Sequence, residues 1–148
     1  MKQDEIQVFI HGTISYFEEV TGVKAELDIP YTKGAEQVLL DYSGHIGISG
    51  SRKGGLYITC TRPMLEEITR KILLTDEVDD QSVFDMIGEI ANTIAGNART
   101  SFGSQFNISV PTIFKGKPSN FRIVLRTPVV VLPINWKGHQ AYLVVGID

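Results

Sequence analysis

Ile6, Ile10, Ile14 and Phe17 recur at helical spacing near the start of the chain, and Gly22 follows where a C′ glycine belongs. The pattern predicts a helix over 4–21. Short runs of β-branched and aromatic residues come next, over 23–29, 38–48 (with Gly44 and Gly47 inside) and 56–61, and read as three strands. Pro63 suits the first turn of a second helix, with Leu65, Ile68, Ile72 and Leu73 as its expected buried stripe. Asp76, Glu77, Asp79 and Asp80 favour the start of a third helix through its macrodipole. That helix is expected over about 81–101, ending near Gly103. Three further strands are expected near 106–114, 121–132 and 140–147. The order of elements is that of an α+β fold, a mixed or antiparallel sheet packed against long helices.

The order helix, three strands, two helices, three strands suggests a duplicated unit. A shift of 81 residues lays Gly22 on Gly103 and Pro30 on Pro111 without a gap. The same shift carries Ile6, Ile10, Ile14 and Phe17 onto Ile87, Ala91, Ala95 and Ala98. The expectation is one domain over 1–148, with pseudo-repeats at about 4–61 and 81–148.

Composition narrows the class. The 148 residues are 43% hydrophobic and 21% charged, which suits one globular domain able to bury a core without a staple. A formal net charge of −3 argues against a dedicated nucleic-acid binder. The longest apolar run is the five residues from Ala141 to Val145, far short of the ~20 a membrane helix needs, so no membrane insertion is expected. Asp4 and Glu5 are wrong for a secretory leader, and the single Cys60 makes no disulfide framework. A cytoplasmic location is expected.

Candidate chemistry lies on the third helix. At ~100° per residue, Ile87, Ile90, Ala91, Ile94 and Ala98 share one side, while Asp85, Glu89, Asn92 and Gly96 gather roughly opposite. Glu89 and Asn92 stand three apart and are surface neighbours, so a carboxylate and an amide are displayed together away from the core. Gly88 and Gly96 each weaken the helix by ~1 kcal/mol relative to Ala. Close approach of another backbone compensates such a loss: an incoming partner over Gly96, and a partner or another helix of the same chain over Gly88.

Gly88-Glu89-Ile90-Ala91-Asn92-Thr93-Ile94-Ala95-Gly96-Asn97-Ala98 resembles the Glu-x-x-Asn segment of the CheC/CheX/FliY family of chemotaxis phosphatases, most closely its CheX-like members. The resemblance implies a CheC-like fold with an internal pseudo-repeat of helix plus three strands. Val8 and His11 occupy the shifted places of Glu89 and Asn92, which points to the CheX-like branch with one motif and to a homodimer. The implied activity is hydrolysis of the aspartyl phosphate on a phosphorylated CheY-like response regulator. By the same resemblance Asn92 orients the attacking water and Glu89 pairs with the receiver lysine, while Asp85, Gly88 and Gly96 contact the partner. No cofactor is bound by this chain; the response-regulator partner supplies Mg2+. A non-catalytic adaptor docking on a response regulator or flagellar-switch component through the same helix is the alternative.

Other residues carry less. His11, His45 and His139 show no metal-ligand spacing. Cys60 falls in an apolar strand pattern and reads as a small buried hydrophobe. Residues 47–55 lack P-loop order and read as a hairpin turn, and 115–119 as a turn with Arg122 and Arg126 forming a mild basic patch. Trp136 suits either the core or a subunit contact. A small-molecule site on the sheet would need a deep enclosed pocket, which no motif predicts.

Overall fold

The computed structural model describes residues 1–118, 123 and 125–148. Among them, three helices and eight strands follow in the order α1 (Gln3–Thr21), β1 (Glu26–Leu27), β2 (Tyr31–Thr32), β3 (Tyr42–Gly50), β4 (Gly54–Cys60), α2 (Arg62–Leu73), α3 (Asp80–Phe102), β5 (Phe106–Ile108), β6 (Thr112–Lys115), β7 (Val130–Trp136) and β8 (His139–Ile147). The expected α+β class holds, with four strands after each helical segment rather than three. The difference comes from two prolines. Pro30 and Pro111 have no N–H for a ladder, so 23–29 narrows to β1 with β2 beyond Pro30, and 106–114 splits into β5 and β6. The expected strand over 121–132 begins only at Val130; Phe121, Arg122 and Val124 lie outside the described residues, as does Ser119 of the 115–119 turn.

All strand pairings are antiparallel, in the order β1–β7–β8–β4–β3–β5, with β2 also on β7 and β6 also on β3. The two halves therefore interlock. The short strands after α1 bond the long strand β7, and those after α3 bond β3. Leu27 faces Ile134 and Ile108 faces Ile48, matching places for residues 81 apart. The helix ends share one bond, Gly22 and Gly103 donating their backbone N–H to Glu18 O and Arg99 O, although only Gly22 takes the left-handed helical conformation.

The main core lies between the helices and one face of the sheet, and a smaller cluster around Val38, Tyr57, Val131 and Val144 fills the other face. Helix α1 buries Phe9, Thr13, Tyr16 and Phe17, so the stripe is rotated from the expected one and leaves Ile6, Ile10 and Ile14 half-buried on its flank. Thr13 tolerates burial because its hydroxyl donates to Phe9 O at 2.8 Å. On α2 the buried residues are Met64, Leu65, Ile68 and Thr69, while Leu73, expected inside, is exposed at the last turn. Trp136 is wholly buried, its Nε1 donating to Thr21 Oγ1 at 3.1 Å and Val23 O at 3.2 Å. Its place is the core.

Candidate functional site on helix α3

Asp79 starts α3 where the acidic run predicted, its carboxylate accepting the Ser82 backbone N–H at 2.8 Å. That bond stabilises the charged form and lowers the Asp79 pKa. Arg62, at the start of α2, holds the next residue by an ion pair to Asp80 at 2.6 Å and also bonds Tyr42 Oη at 3.1 Å. One side of α3 then presses on the sheet: Val83, Ile87, Ile90, Ala91, Ile94 and Ala98 are buried. Its closest seat is Gly44 of β3. A Cβ there would stand 2.9 Å from Ile87 O and 3.0 Å from Ala91 Cβ.

With that side committed to the core, the opposite one faces outward. Asp85, Glu89 and Asn92 are exposed, as the helical phase predicted. Among the described residues, neither the Glu89 carboxylate nor the Asn92 amide has an intramolecular hydrogen bond or ion pair. The local bonds run elsewhere: Thr93 Oγ1 donates to Glu89 O, and Gln81 Nε2 donates to the Asp85 carboxylate at 2.7 Å. A carboxylate and an amide thus stand side by side with their bonding capacity unspent.

The glycines divide. A Cβ on Gly96 would meet nothing within 4 Å, so that position is open. Gly88 is buried, and a Cβ there would lie 2.6 Å from Ile113 Cδ1. Within the chain, what closes on Gly88 is strand β6 with Pro111 before it, not a second helix. β6 packs into the space of the missing Cβ, and Gly88 still lines the groove beside Glu89 and Asn92.

The pair opens onto a shallow groove of about 530 Å³. Asp85, Glu89 and Asn92 form one wall, and Val110 with Pro111 forms the other. The sequence does not single out Val110, because it continues the apolar–polar alternation of Phe106, Ile108 and their neighbours, which signals the inward side of a strand. In the structure it is 82% exposed. The signal that could have found it is Pro111, which breaks the ladder and turns the preceding side chain outward.

Groups set aside on sequence stay outside this groove. Burial pushes the Cys60 thiol far up, away from nucleophile range. His139 Nε2 lies 3.2 Å from Glu67, and neither residue lines the groove. Among the described residues, no three His, Cys, Asp or Glu side chains are grouped to hold a metal ion, and no helix is long and apolar enough to cross a membrane.

An antiparallel sheet of two interlocked halves, carrying one exposed Glu-x-x-Asn helix face, defines a CheC-like protein. The model of the chemotaxis phosphatase CheX family matches residues 42–135, and the chain belongs to that family. No curated protein matches the sequence. Solved structures with the same fold include a CheC-like superfamily protein from Shewanella sp. PV-4, at 24% identity and TM-score 0.84, covering 100% of this chain and 99% of that one. The chemotaxis protein CheX from Vibrio vulnificus is 22% identical, with TM-score 0.83 over 98% of this chain and 99% of its own. A chain of the CheX–CheY–BeF3–Mg2+ complex from Borrelia burgdorferi is 22% identical, with TM-score 0.77 and 99% of each chain covered.

Proposed function

We propose that this member of the family hydrolyses the aspartyl phosphate of a CheY-type response regulator, with Asn92 and Glu89 as its working groups. Water attacks phosphorus in line. The bond between phosphorus and the aspartyl oxygen breaks, giving a free carboxylate and inorganic phosphate, and the surplus proton passes to phosphate or solvent. The receiver brings the phosphoaspartate, a lysine and Mg2+, so placing the water is the step left to supply, and positioning is a large part of phosphoryl-transfer catalysis. The Asn92 amide both donates and accepts without titrating, which suits orienting a water at any physiological pH. The Glu89 carboxylate pairs with the receiver lysine and fixes the register of α3 in the cleft. Asp85 and Gly96 border the contact, Gly96 by leaving room for the partner backbone. The protein acts in the cytoplasm as a homodimer, and residues 1–148 form one domain with repeats at about 4–61 and 81–148.

One observation carries this reading: Glu89 and Asn92 project from one rigid helix with no partner among the described residues, at the edge of an open groove. Phosphate release from a phosphorylated CheY-type receiver tests it. Wild type should accelerate release. Asn92→Ala should lower turnover by about 10²-fold or more while keeping the fold and much of the receiver binding. Glu89→Lys should chiefly weaken association. Normal turnover in Asn92→Ala removes that residue from the reaction, and binding without acceleration by wild type makes the protein an adaptor.

A further inference from the structure

The geometry points to Val110, seated on Pro111, as the apolar anchor of the receiver footprint and a determinant of which receiver is bound; this rests on the function proposed above. A single surface valine needs no explanation by itself. What distinguishes this one is where it stands and how firmly it is held. It forms the wall of the groove facing Glu89 and Asn92, so a receiver that brings its lysine to Glu89 must also cover Val110.

Its backbone is fixed on both sides. Ser109 N donates to Gly47 O at 2.9 Å, Gly47 N donates to Ser109 Oγ at 2.8 Å, and Ser109 Oγ donates to Val110 O at 2.9 Å. Pro111 sets the next φ, and the side chain is β-branched with little rotamer freedom to lose. The valine is therefore presented in a single place, 82% exposed. Such preorganisation lowers the entropy lost on binding.

The polar pair alone makes a poor anchor. Exposed ion pairs contribute little in water and are screened by salt, whereas affinity concentrates in desolvated apolar contacts ringed by polar ones. Glu89 and Asn92 supply register and chemistry; Val110 supplies the contact that excludes water beside them. Its complement is an apolar side chain on the rim of the receiver's active-site cleft, next to the lysine that Glu89 takes.

The fold carries its own control. Ile29-Pro30 stands 81 residues before Val110-Pro111 and is likewise turned out, with Ile29 86% exposed. By the same offset α1 has Val8 and His11 in the places of Glu89 and Asn92. The same apolar–proline step is thus present twice, and only the copy next to the Glu-x-x-Asn pair should respond to the receiver.

Two readouts separate this inference from the reading beneath it: titration with a CheY-type receiver activated by beryllofluoride and Mg2+, and phosphate release from the phosphorylated receiver. Val110→Ser should raise Kd and KM about tenfold with kcat within a factor of two, Val110→Ile should bind as wild type, and Ile29→Ser should change neither constant. An unchanged Kd for Val110→Ser overturns the proposal, and so does an equal loss for Ile29→Ser. Wild type that binds without releasing phosphate refutes the phosphatase reading alone, with the Kd of Val110→Ser still deciding the anchor. Absence of binding by wild type overturns both.

Discussion

Gly96 weakens α3 by about 1 kcal/mol relative to alanine, yet the fold makes no use of the space it leaves, since a Cβ would meet nothing within 4 Å. It shares the outward face with Glu89 and Asn92. Gly96→Ala should therefore raise the melting temperature by about 3 °C and weaken receiver binding several-fold. Thermal unfolding and titration on the same sample check both. A more stable variant with unaltered affinity would take Gly96 out of the footprint. Gly88 shows why sequence could not sort the two: each is a glycine inside one helix, and only the position of Ile113 tells that the first is filled by the chain itself.

The placement of α3 on the sheet is decided by backbone contact at Gly44. Ile87 O and Ala91 Cβ both belong to the regular helix, and the glycine belongs to a strand paired on both sides, to β4 and to β6. Neither surface can give by the needed few tenths of an ångström without moving an element. Gly44→Ala should cost about 1–3 kcal/mol as an overpacked core site, read as a lower denaturant midpoint with an unchanged slope. Periodicity found α3 and its outward face because a long amphipathic helix repeats its signal over many turns. It placed the α1 stripe on Ile6, Ile10 and Ile14, and the fold buried Phe9, Thr13 and Tyr16 instead. Spacing fixes a phase to about one residue; the aromatic that best fills the neighbouring space chooses among adjacent phases. The short strands were only partly legible for a related reason: β1, β5 and most of β6 fell inside the expected 23–29 and 106–114, while β2 and the break at Pro111 did not show, since a few residues carry no period.

At the scale of the molecule, side-chain clasps fasten the helical layer to the sheet. Arg52 pairs with Glu5 of α1 and bonds the backbone oxygen of Asp148, while Glu67 of α2 takes Lys137 at 2.6 Å and His139 at 3.2 Å from the β7–β8 hairpin. The bond from Arg52 lowers the Glu5 pKa, and that from Lys137 lowers the Glu67 pKa. A carboxylate whose folded pKa is depressed adds stability above its ordinary value of about 4.3 and loses it as pH falls through the lower folded value. These part-exposed pairs contribute up to about 1 kcal/mol each. Stability should therefore drop as pH falls from about 4.5 toward 3. Glu67→Gln should start lower at neutral pH and lose less on acidification than wild type, as denaturant titrations at several pH values would show.

The chain alone determined the helices, the outward pairing of Glu89 with Asn92, and the 81-residue offset that sets Gly22 against Gly103 and Pro30 against Pro111. These are local or repetitive properties, set by 3.6-residue geometry and by the chemistry of single residues. Tertiary structure decided that each half lends its short strands to the long strand of the other, that β6 closes over Gly88, and that Val110 comes to stand across from Glu89. Those contacts join residues distant in sequence, and their existence depends on volumes and backbone bonds that no window along the chain contains.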